Sequence, residues 1–416
     1  MTSSAKSIKS FDDASVWLTS QEPLSQYKVG GYRPTTVGET LSAGRYKVLA
    51  KLGHGRQSTI WLASDNKSPN DACVAVKIFT DSYPSTRQQS RLNFQLYNAF
   101  VMSRYGEHLC VVTEVLGFDL FHLASASLRP TEYRFPDFIA KRIMHDLLLA
   151  LDYAHTTCNI IHTDIKFSNM LTCIDSEFTS SNPLLDYDLR TETLEAADGS
   201  QVTITRHLVV SEIPDELDDL DNWKDVRYKL ADFGSAHIGT EDANVQTGSF
   251  DYLISSPGAR SPEVYMHVPW NAATDVWSAG ILLHQLLTGG LFYPTDMKEV
   301  VFPLYMYKLF GKFPDSIFAK SNVAGGWFNR EDGKFRPSNS FRVGNLLNFK
   351  GTPHPEFELE PTPVYMRDIL SNLPEEKRPS PGAIDLEMQL LTLDPALRPT
   401  PAQLLKHPWF ADIDVN

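Results

Sequence analysis

From Arg45 the chain reads R-Y-K-V-L-A-K-L-G-H-G-R-Q-S-T-I-W-L-A, an alternation of apolar and polar positions around a glycine turn, and A-C-V-A-V-K-I-F follows from Ala72. This period of two predicts a β-hairpin and a third strand. Apolar stretches around 92–100 and 108–115 predict two more strands. The period then changes. From Pro136, P-D-F-I-A-K-R-I-M-H-D-L-L-L-A-L-D-Y-A-H places apolar residues at helical spacing behind a Pro-Asp start, which predicts a long buried helix. D-V-W-S-A-G-I-L-L-H-Q-L-L, from Asp275, predicts a second buried helix that Asp275 should cap while also bonding back to the segment around 162–169. Near the end, Thr400 and Pro401 suit the start of a last helix. Residues 1–44 are polar and turn-rich, notably Gly30-Gly31-Tyr32-Arg33-Pro34, and predict an extended leader packed on the strand region without an element of its own.

Composition narrows this picture. A length of 416 residues suggests two or three domains, and 42% hydrophobic content can bury large cores. The formal charge of -13 disfavours binding to a phosphate backbone and favours basic partners. Cys73, Cys110, Cys158 and Cys173 form no C-x-x-C pair, and the first two fall in predicted strands, as expected of reduced thiols in an intracellular protein. The start has no apolar core of a signal peptide, and no run of about 18 apolar residues occurs, so a soluble chain outside the usual secretory route is expected.

Candidate chemistry concentrates in I-H-T-D-I-K-F-S-N, from Ile161, and in Asp232-Phe233-Gly234. Phosphoryl transfer needs a carboxylate to orient the attacking hydroxyl, oxygen ligands for metal, and cations around the phosphates. Asp164 fits the carboxylate, Lys166 the nearby cation, and Asn169 with Asp232 the metal ligands. Upstream, Gly53-x-Gly55 lets backbone amides approach phosphates closely because neither position has a Cβ, with Ser58 where a third glycine usually stands. Lys77, in V-A-V-K, suits the α- and β-phosphates. Ile60 and Ala75 read as cover for an adenine, or equally as ordinary core. Glu114-Val115-Leu116-Gly117 reads as a hinge whose backbone meets the adenine edge, with Thr113 behind it. His145 and His155 read as structural, and His162 as a packing partner of Phe233.

With Ser261-Pro262-Glu263 and the late Arg398, which should form a buried ion pair with Glu263, these motifs follow the order found in eukaryotic protein kinases, which the chain resembles. The resemblance implies an α+β bilobal fold with a small β-rich first lobe and a larger helical second lobe. The boundaries are an extension at 1–44, the first lobe at 45–116 and the second at 117–412. The second lobe would contain an acidic spacer at 172–226 and an insertion at 293–385. It also adds Leu52 and Leu171 to the ATP-binding residues, and implies ATP and Mg2+ as cofactors. Thr163 stands where most such kinases carry an arginine that answers an activation-loop phosphate, so a different mode of switching is expected.

H-T-D-I-K, the leader G-G-Y-R-P-x-x-x-G, the glycine turn L-G-H-G-R-Q-S-T-I-W-L-A and the hinge E-V-L-G together resemble the SR-protein kinases, over roughly residues 22–412. W-F-N-R-E-D-G-K-F, from Trp327, is similar to a segment of fungal members. The resemblance implies Arg-Ser-rich protein substrates, a role in mRNA splicing, no direct contact with nucleic acid or membrane, a monomer, and residence in cytoplasm and nucleus. It also implies an acidic docking groove in the insertion, for which Asp296, Glu299 and Asp315 are candidates, with plain surface charge as the alternative. In the spacer, P-D-E-L-D-D-L-D from Pro214 reads as a solvated loop, and only Thr203–Val210 as a strand.

Two departures matter. The family has Gln-x-x-x-Tyr-Arg before S-P-E, where this chain keeps Arg260 but not the tyrosine. Also, once the strands after Lys77 are placed, only about Asp81 to Arg91 remains for a helix. That stretch contains Pro84 and no glutamate to hold Lys77, so a truncated helix is expected. A catalytically impaired homologue serving as a binding or scaffold module is therefore a second reading, and a sequence lacking an exon is a third.

Overall fold

The computed structural model describes residues 22–68, 70–81, 98–103, 106–127, 134–174, 191–195, 201–205, 225–239, 254–293, 302–329 and 366–413. The truncated-helix expectation at 82–91 and the acidic run at 214–221 lie outside the described residues. So do Asp296 and Glu299. The chain divides into two compact units, one comprising residues 1–118 and 172–214, the other 119–171 and 215–416.

The first unit is built on a six-stranded antiparallel sheet of order β1-β2-β3-β4-β6-β5. Its strands are β1 (Thr40–Leu41), β2 (Tyr46–Gly55), β3 (Ser58–Asp65), β4 (Cys73–Phe79), β5 (Asn98–Met102) and β6 (His108–Thr113). The alternation in the sequence becomes two faces. Tyr46, Val48, Trp61, Val76 and Ile78 are buried on one side, while Ala50, Leu62 and Cys73 face the other with Leu52 against them. The leader does contain elements, contrary to the sequence expectation: a 3-10 turn at Leu24–Gln26, and β1 paired to β2. Two residues are too few to carry a period, and β1 sits between Gly38 and Gly44, both at φ 86.

The spacer also differs from expectation. It forms a hairpin of β9 (Thr191–Glu195) and β10 (Gln201–Thr205), numbered after two short strands of the second unit. The predicted strand at 203–210 overlaps only its second arm, and residues 206–210 lie outside the described residues. Leu194 packs with Leu24, Tyr27 and Tyr32 of the leader, so this part of the spacer belongs with the first unit and not with the helical lobe. The expected strand gains its partner from the five residues Thr191–Glu195, T-E-T-L-E, which are too polar to show an apolar alternation.

The second unit is helical. α1 (Leu120–Ser127) precedes α2 (Asp137–Asp152), which starts after Pro136 and ends in a wider π turn at Tyr153–Thr157. The short strands β7 (Ile160–Ile161) and β8 (Met170–Thr172) pair with β12 (His237–Ile238) and β11 (Tyr228–Leu230), and so bracket the catalytic-loop sequence. α3 (Pro262–Tyr265) leads to α4 (Ala273–Thr288), whose Trp277 and Ile281 enter the main core. Described residues of the insertion belong to that same core: α5 (Phe302–Phe310) and α6 (Asp315–Phe318) bury Phe302, Met306, Leu309, Ile317 and Phe318. The capping box on the helix at Pro401–Leu404, between Thr400 and Gln403, meets expectation.

Candidate active site

In the second unit the candidate residues converge on Asp164. Its Oδ2 accepts from Lys166 Nζ at 2.6 Å and from Asn169 Nδ2 at 3.2 Å, and its Oδ1 accepts from the Ser256 hydroxyl at 2.9 Å. A carboxylate offers about four lone-pair sites, so three donors leave one for an incoming hydroxyl. Asn169 Nδ2 also donates to the Asp164 carbonyl at 2.8 Å, so the amide's acceptor is its oxygen, Oδ1. Ser256 went unnoticed in the sequence reading. It lies 92 residues from Asp164 and only its place shortly before S-P-E could have pointed to it.

The loop is held from behind by a buried carboxylate. Asp275 accepts from the backbone N–H of His162 at 2.7 Å and of Thr163 at 2.8 Å, and pairs with His155 Nε2 at 2.9 Å. Asp275 lies in the first turn of α4 but makes no cap: Ala272 occupies the cap position without a side-chain bond, and the carboxylate is spent on the catalytic loop. These bonds hold Thr163 at φ 65, a left-handed conformation that a β-branched residue rarely adopts. The Thr163 hydroxyl donates to the Ser235 carbonyl at 2.7 Å, so a neutral bond ties the loop to the segment after D-F-G where the expected arginine would have carried charge.

His162 is fully enclosed, and burial holds its imidazole below the ordinary value of 6.5. In the neutral ring, Nε2–H donates to the Ala231 carbonyl at 3.0 Å and Nδ1 accepts from the Asp164 N–H at 3.2 Å. The ring meets Phe233 edge-on at 4.6 Å, as expected of a packing residue. Asp232 adopts φ 60 and its carboxylate accepts from the Gly234 N–H at 3.3 Å.

The segment before S-P-E forms a turn, Pro257–Ala259. Arg260 Nε donates to the carbonyls of Ile254 and Ser255, fixing the left-handed Ser255 (φ 66) next to Ser256. Tyr265 supplies an aromatic face 5.9 Å from the Arg260 guanidinium, and its hydroxyl bonds the Pro257 carbonyl. Beside this turn, Lys166, Ser256, Gly258, Gln285 and Leu291 border a cavity of about 490 Å³. Glu263 and Arg398 form the anticipated pair, bidentate at 2.9 and 3.1 Å with both side chains fully buried. Asp315, one docking candidate, is exposed and sits 3.3 Å from Lys312.

In the first unit, Leu52, Ile60, Ala75, Lys77 and Thr113 follow the strand alternation onto the sheet face that carries Ala50 and Leu62. Gly53, Ile60 and Lys77 are cross-strand neighbours. Lys77 Nζ lies 5.1 Å from the Phe79 ring centroid. Gly55 and Ser58 close the β2–β3 turn. Glu114 and Leu116 follow β6, and Leu171 lies in β8 of the second unit.

A protein kinase domain model matches residues 220–410. The serine/threonine-protein kinase SRPK of Physarum polycephalum is 27% identical over 97% of this chain and 94% of its own length. Protein kinase dsk1 of Schizosaccharomyces pombe and human SRSF protein kinase 3 are each 34% identical over 38% of this chain, which spans about a third of their lengths. The chain is similar to the SR-protein kinases over nearly its whole length. A solved kinase domain, 20% identical, superposes with a TM-score of 0.59 over 91% of this chain and 98% of that domain, a likeness of fold. ATP and a divalent cation are what a kinase domain uses, and the donor set fits a hard cation. Asn169 and Asp232 offer oxygen, the donor atom that hard divalent cations take.

Proposed function

We propose that this kinase transfers the γ-phosphate of ATP to serines in Arg-Ser-rich proteins, with Mg2+ as the cation. The observation that carries the reading is the convergence of Lys166, Asn169 and Ser256 on one carboxylate, Asp164, with a lone-pair site to spare. Asp164 accepts a hydrogen bond from the substrate hydroxyl, orients its oxygen, and takes the proton as the phosphoryl group leaves ATP. Lys166, tethered to Asp164, holds positive charge where the transferred group gains negative charge. Asn169 Oδ1 and the Asp232 carboxylate would hold the cation, which when bound neutralises charge on the β- and γ-phosphates. Lys77, Gly53, Gly55 and Ser58 would engage the phosphates from the first unit.

The substrate class is supported by the names of the relatives and by the charge of -13, which favours basic peptides. The action of the kinase in cytoplasm and nucleus belongs to the same proposal. The test is incubation of the purified chain with labelled ATP, magnesium and an Arg-Ser repeat peptide beside Asp164→Ala. Incorporation well above the variant is expected. Incorporation equal to the variant would leave the binding-module reading, and equal turnover of acidic and basic peptides would remove the substrate class alone.

A further inference from the structure

The leader grips the glycine turn at two points. Gly30 has φ 80, and a Cβ on Gly31 would stand 1.8 Å from the Gln26 carbonyl oxygen, so only glycines can make this bend. The bend closes through Gly31 N–H to the Lys28 carbonyl at 2.8 Å and Tyr32 N–H to the Gln26 carbonyl at 2.9 Å, which fixes where Tyr32 departs. The Tyr32 ring packs against Tyr27 at 5.7 Å, and its hydroxyl lies 2.7 Å from the Gly55 carbonyl and 3.1 Å from that of Arg56. The next carbonyl, of Gln57, accepts from Thr80 N–H at 2.9 Å. All three turn carbonyls are therefore held from outside the hairpin.

The second grip is a buried ion pair. Glu22 meets Lys51 with both side chains fully buried, and Tyr27 also donates to Glu22. Lys51 directly precedes Leu52-Gly53. A leader attached only for packing has no need to bury a charge pair, which costs desolvation unless its geometry is fixed.

We infer that the leader segment 22–33 is a strap that positions the glycine turn for a nucleoside triphosphate, with Tyr32 as the positioning residue. A trans peptide points its C=O and N–H in opposite directions. Drawing the Gly55 and Arg56 carbonyls to Tyr32 therefore turns the N–H groups of Arg56 and Gln57 away from the leader, where they are the donors the turn keeps for phosphate. Without the hydroxyl those planes are free to rotate, since Gly55 has no Cβ, and the donors lose their preset direction.

The inference rests on the kinase reading, and its test separates the two. In full-length Tyr32→Phe the ring, and so the packing, remains. One hydrogen bond of about 0.5–1.5 kcal/mol corresponds to a rise of about 2- to 10-fold in the Kd and KM for ATP. The kcat at saturating ATP and the KM for peptide stay within about twofold of the parent, and amide exchange quickens at Thr80, whose N–H is bonded to the Gln57 carbonyl of the turn. An unchanged ATP affinity, or unchanged exchange at Thr80, overturns the strap. A parent chain that binds no ATP overturns the kinase reading, while the exchange comparison still decides the strap.

Discussion

At the scale of single residues, the arrangement around Asp164 makes Ser256 a testable positioning group. A hydrogen bond to a charged partner contributes about 1.5–3 kcal/mol, so Ser256→Ala should lower kcat by about 10- to 100-fold and leave the thermal midpoint near that of the parent. Ser256→Thr, which keeps the donor, should recover most of the rate. His162 predicts a pH effect. Its folded-state value lies below the ordinary 6.5 because burial disfavours the cation. The unfolded chain therefore binds the proton first, and His162 contributes stability that is intact above 6.5 and lost as pH falls below it. Denaturant titrations from neutral to mildly acid pH should show a falling midpoint, and His162→Gln should remove part of that slope. The motif H-T-D-I-K-F-S-N exposed these residues in the sequence because they are contiguous. Asp275 bonds back to this loop as expected, though it caps nothing, whereas Ser256 stayed hidden because its partner is far along the chain and a local pattern carries no distance information.

At the scale of elements, the strands and long helices were legible because a face buried along five or more residues imposes its period on the sequence. β1 and the β9–β10 hairpin were not, being too short or too polar to show one. The Pro257–Ala259 turn offers a direct handle on substrate access. A Cβ at Gly258 meets nothing within 4 Å, and the residue borders the cavity beside Lys166 and Ser256. Gly258→Leu should leave the midpoint of unfolding unchanged while raising the KM for peptide, with the KM for ATP as the internal control. The staple between α3 and the last turns behaves oppositely. Glu263→Ala would strand the buried Arg398 guanidinium at a cost of about 3–5 kcal/mol, readable as a large drop in denaturant midpoint.

At the scale of the whole molecule, a net charge of -13 acts as a field and not as a set of contacts. The kcat/KM for a basic peptide should fall several-fold as ionic strength rises from about 0.05 to about 0.5 M, with little change for a neutral serine peptide. The sequence by itself determined the α+β class, the succession of strands and helices, and the identity of the phosphoryl-transfer residues, since each depends on neighbours within a few positions. Tertiary structure alone decided that Ser256 serves the catalytic loop, that Asp275 spends its carboxylate there and caps no helix, that insertion residues such as Phe302 and Phe328 are core, and that Tyr32 reaches the glycine turn. Those pairings join segments from 23 to 113 residues apart, and only packing in three dimensions brings such segments together.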